Sequence, residues 1–162
     1  MAVLHPLAHR DGVVPALRAL ADGPGDSALR LEGEGVRVRL RFGDRTLRVS
    51  IDSDAPCEGP VVRVPGALEQ GLFAGLEFLG RGERSSSRLD VDTEEHLRFA
   101  PDPLRVTLPL MAAVTERGGI GVSWDDMELQ PTFACPDFVD GTAGHRMSLR
   151  GRRIDAHVRA GA

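Results

Sequence analysis

The residues best suited to chemistry are carboxylates and imidazoles next to strand-like runs. Glu77 interrupts an otherwise apolar stretch, Gly71 to Leu79. In an extended chain its side chain shares a face with Gly75 and Leu79 and opposes Leu76 and Phe78. Burial there, balanced by Arg81, Arg84 or Arg88, would raise its pKa and make it an acid or an acceptor for sugar hydroxyls. A structural ion pair is the plainer alternative. Trp124-Asp125-Asp126 ends an alternating run. A ring face for C–H groups beside carboxylates for hydroxyl pairs is the combination that holds sugars. A lone strand-end Trp is nevertheless more often core.

His96 and His145 stand next to or near arginines at loop edges and could join a polar cluster. With Glu77 and Asp125 as acid and base they would suit a glycosidase, lyase or epimerase. A carboxylate separation of about 5 Å would favour retaining hydrolysis, and roughly 6.5–9.5 Å inversion. Several chemistries lack their motifs. The five His form no H-E-x-x-H motif, the two Cys form no C-x-x-C, and no G-x-S-x-G or G-x-x-x-x-G-K occurs. No metal and no cofactor is expected. Asp52, Asp54 and Glu58, or Asp90, Asp92, Glu94 and Glu95, could offer oxygens to calcium, but without EF-hand spacing they read as solvated loop charge. Cys57 and Cys135 need not pair.

The elements that would position these groups are mostly strands. Val36, Val38 and Leu40 alternate with Arg37, Arg39 and Arg41. A turn at Gly43-Asp44 and a second alternating run, Thr46 to Ile51, complete a β-hairpin. Three arginines on one strand face usually solubilise it; an anion-binding surface is the sharper reading. Further strands are expected at 61–64, 72–79, 96–99, 104–114, 120–124, 128–133, 146–149 and 154–158, with turns at Pro101-Asp102-Pro103 and Arg117-Gly118-Gly119. Residues 80–95 and 131–144 read as long excursions. Before Ala28 the spacing of Val13, Val14, Leu17 and Leu20 predicts one short helix, with Asp11 as N-cap and Gly23-Pro24-Gly25 as its end. The expected fold is mainly β: a single antiparallel β-sandwich domain over 1–162, with a helical or irregular segment at 1–28.

Composition bounds the function. The 162 residues are 41% hydrophobic and 27% charged, which suits one globular core and not a disordered chain. A net charge of −4 argues against phosphate-backbone binding, so no nucleic-acid partner is expected. No run of about 18 apolar residues is present and no membrane partner is expected. The opening residues carry no basic head and apolar stretch of a signal peptide, which leaves the compartment open. Aromatic residues make up only 4%, few for a flat sugar platform.

GLFAGLEFLGRGERSSS (71–87), GIGVSWDDMELQPTFACPDF (119–138) and HRM (145–147) together resemble segments of large bacterial glycan-processing proteins. In those, a β-rich region similar to galactose mutarotase-like supersandwich domains accompanies a separate catalytic barrel. The resemblance covers about the second half of the chain. It implies an antiparallel sandwich that is a piece of a larger protein, a carbohydrate ligand, and a catalytic domain of the same protein as partner. It carries over no catalytic residue. The function it implies is a non-catalytic carbohydrate-binding or ancillary module; the alternatives are the enzyme described above and a domain that buries its Arg-rich or apolar face against a protein partner.

Overall fold

A computed structural model describes residues 3–7, 18–20, 28–83, 98–99, 102–137 and 144–161. Among them are thirteen strands: β1 (Val3–His5), β2 (Arg18–Leu20), β3 (Ala28–Gly33), β4 (Val36–Gly43), β5 (Thr46–Glu58), β6 (Val61–Pro65), β7 (Leu68–Phe73), β8 (Glu77–Leu79), β9 (Arg98–Phe99), β10 (Leu110–Thr115), β11 (Gly118–Trp124), β12 (Gln130–Asp137) and β13 (Gly144–Ala160). Every pairing is antiparallel, and the main path runs β2-β3-β4-β5-β13-β11-β10-β7-β8.

The 17-residue β13 is the spine. Its later half, 151–160, lies between β5 and β11; its earlier half, 144–150, lies between β6 and β12. The ladder slips between Gly151 and Arg153, and the slip changes which residues face the core. Before it Met147 and Leu149 are buried; after it Ile154, Ala156 and Val158 are. A Cβ at Gly151, beside the slip, would lie 2.4 Å from Leu129 Cδ2, so a larger residue there would displace that buried side chain.

Burial follows period-two patterning along the hairpin. Val36, Val38, Leu40, Val49 and Ile51 point inward, and the arginines of β4 point outward. Phe73 of β7 meets Phe133 of β12 with ring centroids 5.3 Å apart, although the two strands share no ladder. The sheet therefore curls until its inner faces pack on each other. Trp124, Met111, Met147 and Leu149 fill the same core.

Four expectations need correction. No α-helix occurs among the described residues, and the predicted N-terminal helix gives way to strand at Arg18–Leu20, paired to Glu32–Arg30 of β3. A two-turn helix with two adjacent valines is marginal alone, whereas an open strand edge supplies ladder hydrogen bonds; residues 11–17 of the predicted helix lie outside the described residues. The run at 72–79 is a hairpin, because Ala74 and Gly75 adopt φ of 49° and 72° and reverse the chain between β7 and β8. The run at 104–114 begins with a 3₁₀ turn, Pro103–Arg105, capped by Asp102, and becomes strand only at Leu110. The excursion expected from Pro131 is strand through Asp137. Strand β9 flanks β12 only at Phe133 and Ala134, so Pro131 and Pro136 fall where a missing N–H is tolerated. Most of the other excursion, 84–95, lies outside the described residues.

Candidate functional site: a charged cleft on the outer sheet face

Strands β3, β4, β5 and β13 carry a cleft of about 650 Å³ on the side away from the core, within the range of ligand pockets. The register explains its construction. Leu31, Val38, Ile51 and Ile154 form one cross-strand row. Val38, Ile51 and Ile154 bury their side chains inward, so the main chain of this row is the cleft floor. The neighbouring rows project outward as two banks. One bank is Arg30, Arg39, Ser50 and Asp155; the other is Glu32, Arg37, Asp52 and Arg153. Asp126 closes the β13 end, where its Oδ1 accepts the Glu128 N–H at 2.9 Å.

Much of this polar surface is already paired. Arg37 Nη2 donates to Asp52 Oδ2 at 2.8 Å. Arg48, in the next row out, holds Asp155 in a fork: Nε donates to Oδ1 at 2.8 Å and Nη2 to Oδ2. Ser50 Oγ donates to the same carboxylate at 3.4 Å. The Arg48 hydrogen bond holds Asp155 below the ordinary carboxylate range; its partial burial works the other way. The guanidiniums of Arg39, Arg41 and Arg153 have no acidic partner among the described residues.

A second polar centre lies on the earlier half of β13. Glu58 Oε1 accepts from Arg146 Nη2 at 2.7 Å and from the Ser148 hydroxyl. Ser148 is completely buried, so its hydroxyl offers a substrate no surface to reach. This centre ties strands together.

Of the six residues singled out from the sequence, the five that are described do not converge. Trp124 is 1% exposed, and its ring offers no face to a sugar. Its indole N–H is buried without a hydrogen-bond partner. Asp125 and Asp126 are exposed just beyond β11, and Asp126 is the one of the six that reaches the cleft. Glu77 is half-buried on β8, in register with buried Phe73 and Met111. Three strand steps separate β8 from β11, roughly 14 Å at about 4.8 Å each, well beyond the separation a carboxylate pair needs for glycoside hydrolysis. Of its expected partners, Arg81 is bound to Glu69 at 2.8 Å, and Arg84 and Arg88 lie outside the described residues. His145 is buried on β13, where its Nε2–H donates to the Gly66 carbonyl at 2.9 Å; burial pushes its pKa below the ordinary value. His96 lies outside the described residues.

Asp52, Asp54 and Glu58 lie within β5 and not in a turn after it, and no group of three or more metal-ligating side chains forms among the described residues. Cys57 is a free thiol whose pKa burial raises. Reading the sequence missed Ser50, Arg153 and Asp155 as cleft residues, and Arg48 as the partner of Asp155. The alternation Arg153, Asp155, His157 against Ile154, Ala156, Val158 marks a polar face, but only the pairing with β5 shows what that face adjoins.

The chain matches no protein-family model. It matches no curated protein either.

Proposed function

We propose that the chain is a non-catalytic, carbohydrate-binding β-sandwich module of a larger glycan-active protein, and that the outer cleft holds the saccharide. The observation that carries this reading is the pair of banks on a rigid four-strand floor. Guanidinium, carboxylate and hydroxyl groups are fixed there in register before any ligand arrives. A sugar presents adjacent hydroxyls that both donate and accept, and forked arginines and carboxylates match that pattern. Preorganisation lowers the ordering cost of binding. With no aromatic ring in the lining, affinity rests on polar contacts, and a Kd on the order of 0.1–1 mM is expected. The resemblance to β-rich regions of glycan-processing proteins supports the same reading. Calorimetric titration of the chain with a panel of neutral and acidic oligosaccharides tests it. Saturable binding lost in Asp52→Ala supports the proposal, and no heat at about 10 mM of any sugar overturns it.

The other half of the sheet fits the ancillary part of the role. Across β8, β7, β10 and β11 the outward rows are Phe78, Leu72, Ala112 and Gly121, with Gln70, Val114 and Gly119 beside them. None is charged, and Phe78 is 66% exposed. A catalytic domain of the same protein would pack on this face and leave the cleft open.

A further inference from the structure

We infer that the saccharide held by this cleft is acidic, with its anionic group seated on Arg39; this rests on reading the cleft as a saccharide site and deepens it. Arginines at 37, 39 and 41 project from the outer face of β4. Arg30 stands directly across from Arg39, and Arg48 directly across from Arg41. Arg37 and Arg48 are neutralised in place, by Asp52 and Asp155, and Arg30 has an interaction of its own. Among the described residues, Arg39 and Arg41 have no carboxylate partner. They sit two residues apart on one strand, a spacing of roughly 6.8 Å. Their cross-strand neighbours are Arg30, Ser50 and the already committed Arg48. Glu32 and Asp126, which have no arginine partner among the described residues, lie in the other bank and at the far end of the cleft.

The corner around Arg39 is therefore locally positive on a chain whose net charge is −4. Leaving like charges side by side is unfavourable unless an anion joins them. Arg39 is half-buried beside the floor, so its fork is less mobile than a free surface arginine. A carboxylate or sulfate ester offers that fork two oxygens, with Arg41 as a second donor, while the sugar hydroxyls reach Ser50 and the Arg37–Asp52 pair. No aromatic ring lines the cleft on which a nucleobase could stack, which separates this site from a nucleic-acid groove.

The test titrates the whole chain, followed by amide chemical shifts, with pentagalacturonate, its methyl-esterified neutral form, and a sulfated galacto-oligosaccharide. The galacturonate is expected to bind about tenfold or more tighter than its ester, and to weaken as salt rises from about 20 to 200 mM. Arg39→Gln brings binding of the acid down to the level of the ester and leaves thermal stability unchanged; Arg41→Gln reduces the advantage only in part. Stronger binding of the sulfated sugar also supports an anionic ligand and assigns the anion to sulfate. Equal binding of acid and ester overturns the inference but leaves the carbohydrate reading standing. Binding of none of the three overturns both. Loss of ester and acid binding together in Arg39→Gln makes Arg39 a general hydroxyl donor and overturns the charge argument.

Discussion

Two ion pairs tie the same two strands, and they do different work. Arg146–Glu58 joins β13 to the end of β5, and Arg48–Asp155 joins the start of β5 to the later part of β13. Both place guanidinium nitrogen against carboxylate oxygen. The side chains of the first pair are 9% and 22% exposed, those of the second 46% and 45%. Burial is the difference that matters. Removing one partner of a buried pair strands the other charge in a medium that solvates it poorly, whereas an exposed pair exchanges one set of favourable contacts for water. The Glu58–Arg146–Ser148 centre therefore specifies how β13 joins the two parts of the sheet. The outer pair stays open to solvent.

Perturbations should rank accordingly. Trp124 lies on the core row with Ala156 and Val49, and Trp124→Ala should destabilise by about 3–5 kcal/mol in urea unfolding followed by circular dichroism. Trp124→Phe should lose clearly less, because it also removes the unpartnered buried N–H. If the two variants unfold at the same midpoint, the indole N–H has a partner in solution. Arg146→Ala should follow at about 2–4 kcal/mol, reduced from the deeply buried case because Glu58 retains some water and the Ser148 hydroxyl. Asp155→Asn should lose less than about 1 kcal/mol. Equal losses at the two ends would show that burial does not set the difference.

Period-two alternation made one end of this comparison legible in the sequence and hid the other. Over Val36 to Leu40 and Val49 to Ile51 the burial pattern follows the letters, since one face is core and the other solvent. The same rule split β13 into two strands, because the slip at Gly151–Arg153 reverses the parity of buried residues within one continuous strand. It also failed at 144–149, where both faces are buried and His145, Arg146 and Ser148 are as enclosed as Met147 and Leu149. Local composition cannot report an ion pair between residues 88 positions apart. For the cleft, the arginines of β4 were visible, and the pairing with Asp52 that neutralises Arg37 was not. The Trp-Asp-Asp signal pointed to a ring that packs inward, and only Asp126 of that trio lines the cleft.

Acid should separate the two ends in a smaller, graded way. Burial lowers the His145 pKa from its ordinary 6.5, so the unfolded chain binds a proton there more readily than the folded one. Stability should then fall as pH drops through about 6.5 toward the folded value, and His145→Gln, whose amide can still reach the Gly66 carbonyl, should flatten that slope. Asp155 acts in a lower window. Its folded pKa is depressed by the Arg48 hydrogen bond, so its contribution is present above the ordinary 3.8 and disappears as pH falls through the folded value. Melting temperatures of the wild type, His145→Gln and Asp155→Asn across both windows check the assignment. A His145→Gln slope unchanged below 6.5 would remove His145 as the source.

The smallest effect is expected where the cleft is most exposed to its ligand. Arg39→Gln should change unfolding free energy by no more than about 0.5 kcal/mol, since its guanidinium has no acidic partner among the described residues and glutamine keeps part of the stem that lies beside the floor. A slight gain is consistent with this, because the change removes one of two like charges, Arg39 and Arg41, on the outer face of β4. Raising the salt concentration should stabilise the wild type more than the variant for the same reason. A loss above about 1 kcal/mol would mean that Arg39 ties the sheet as Arg146 does, and the division between a structural pair and a surface held ready for a ligand would fail at its central residue.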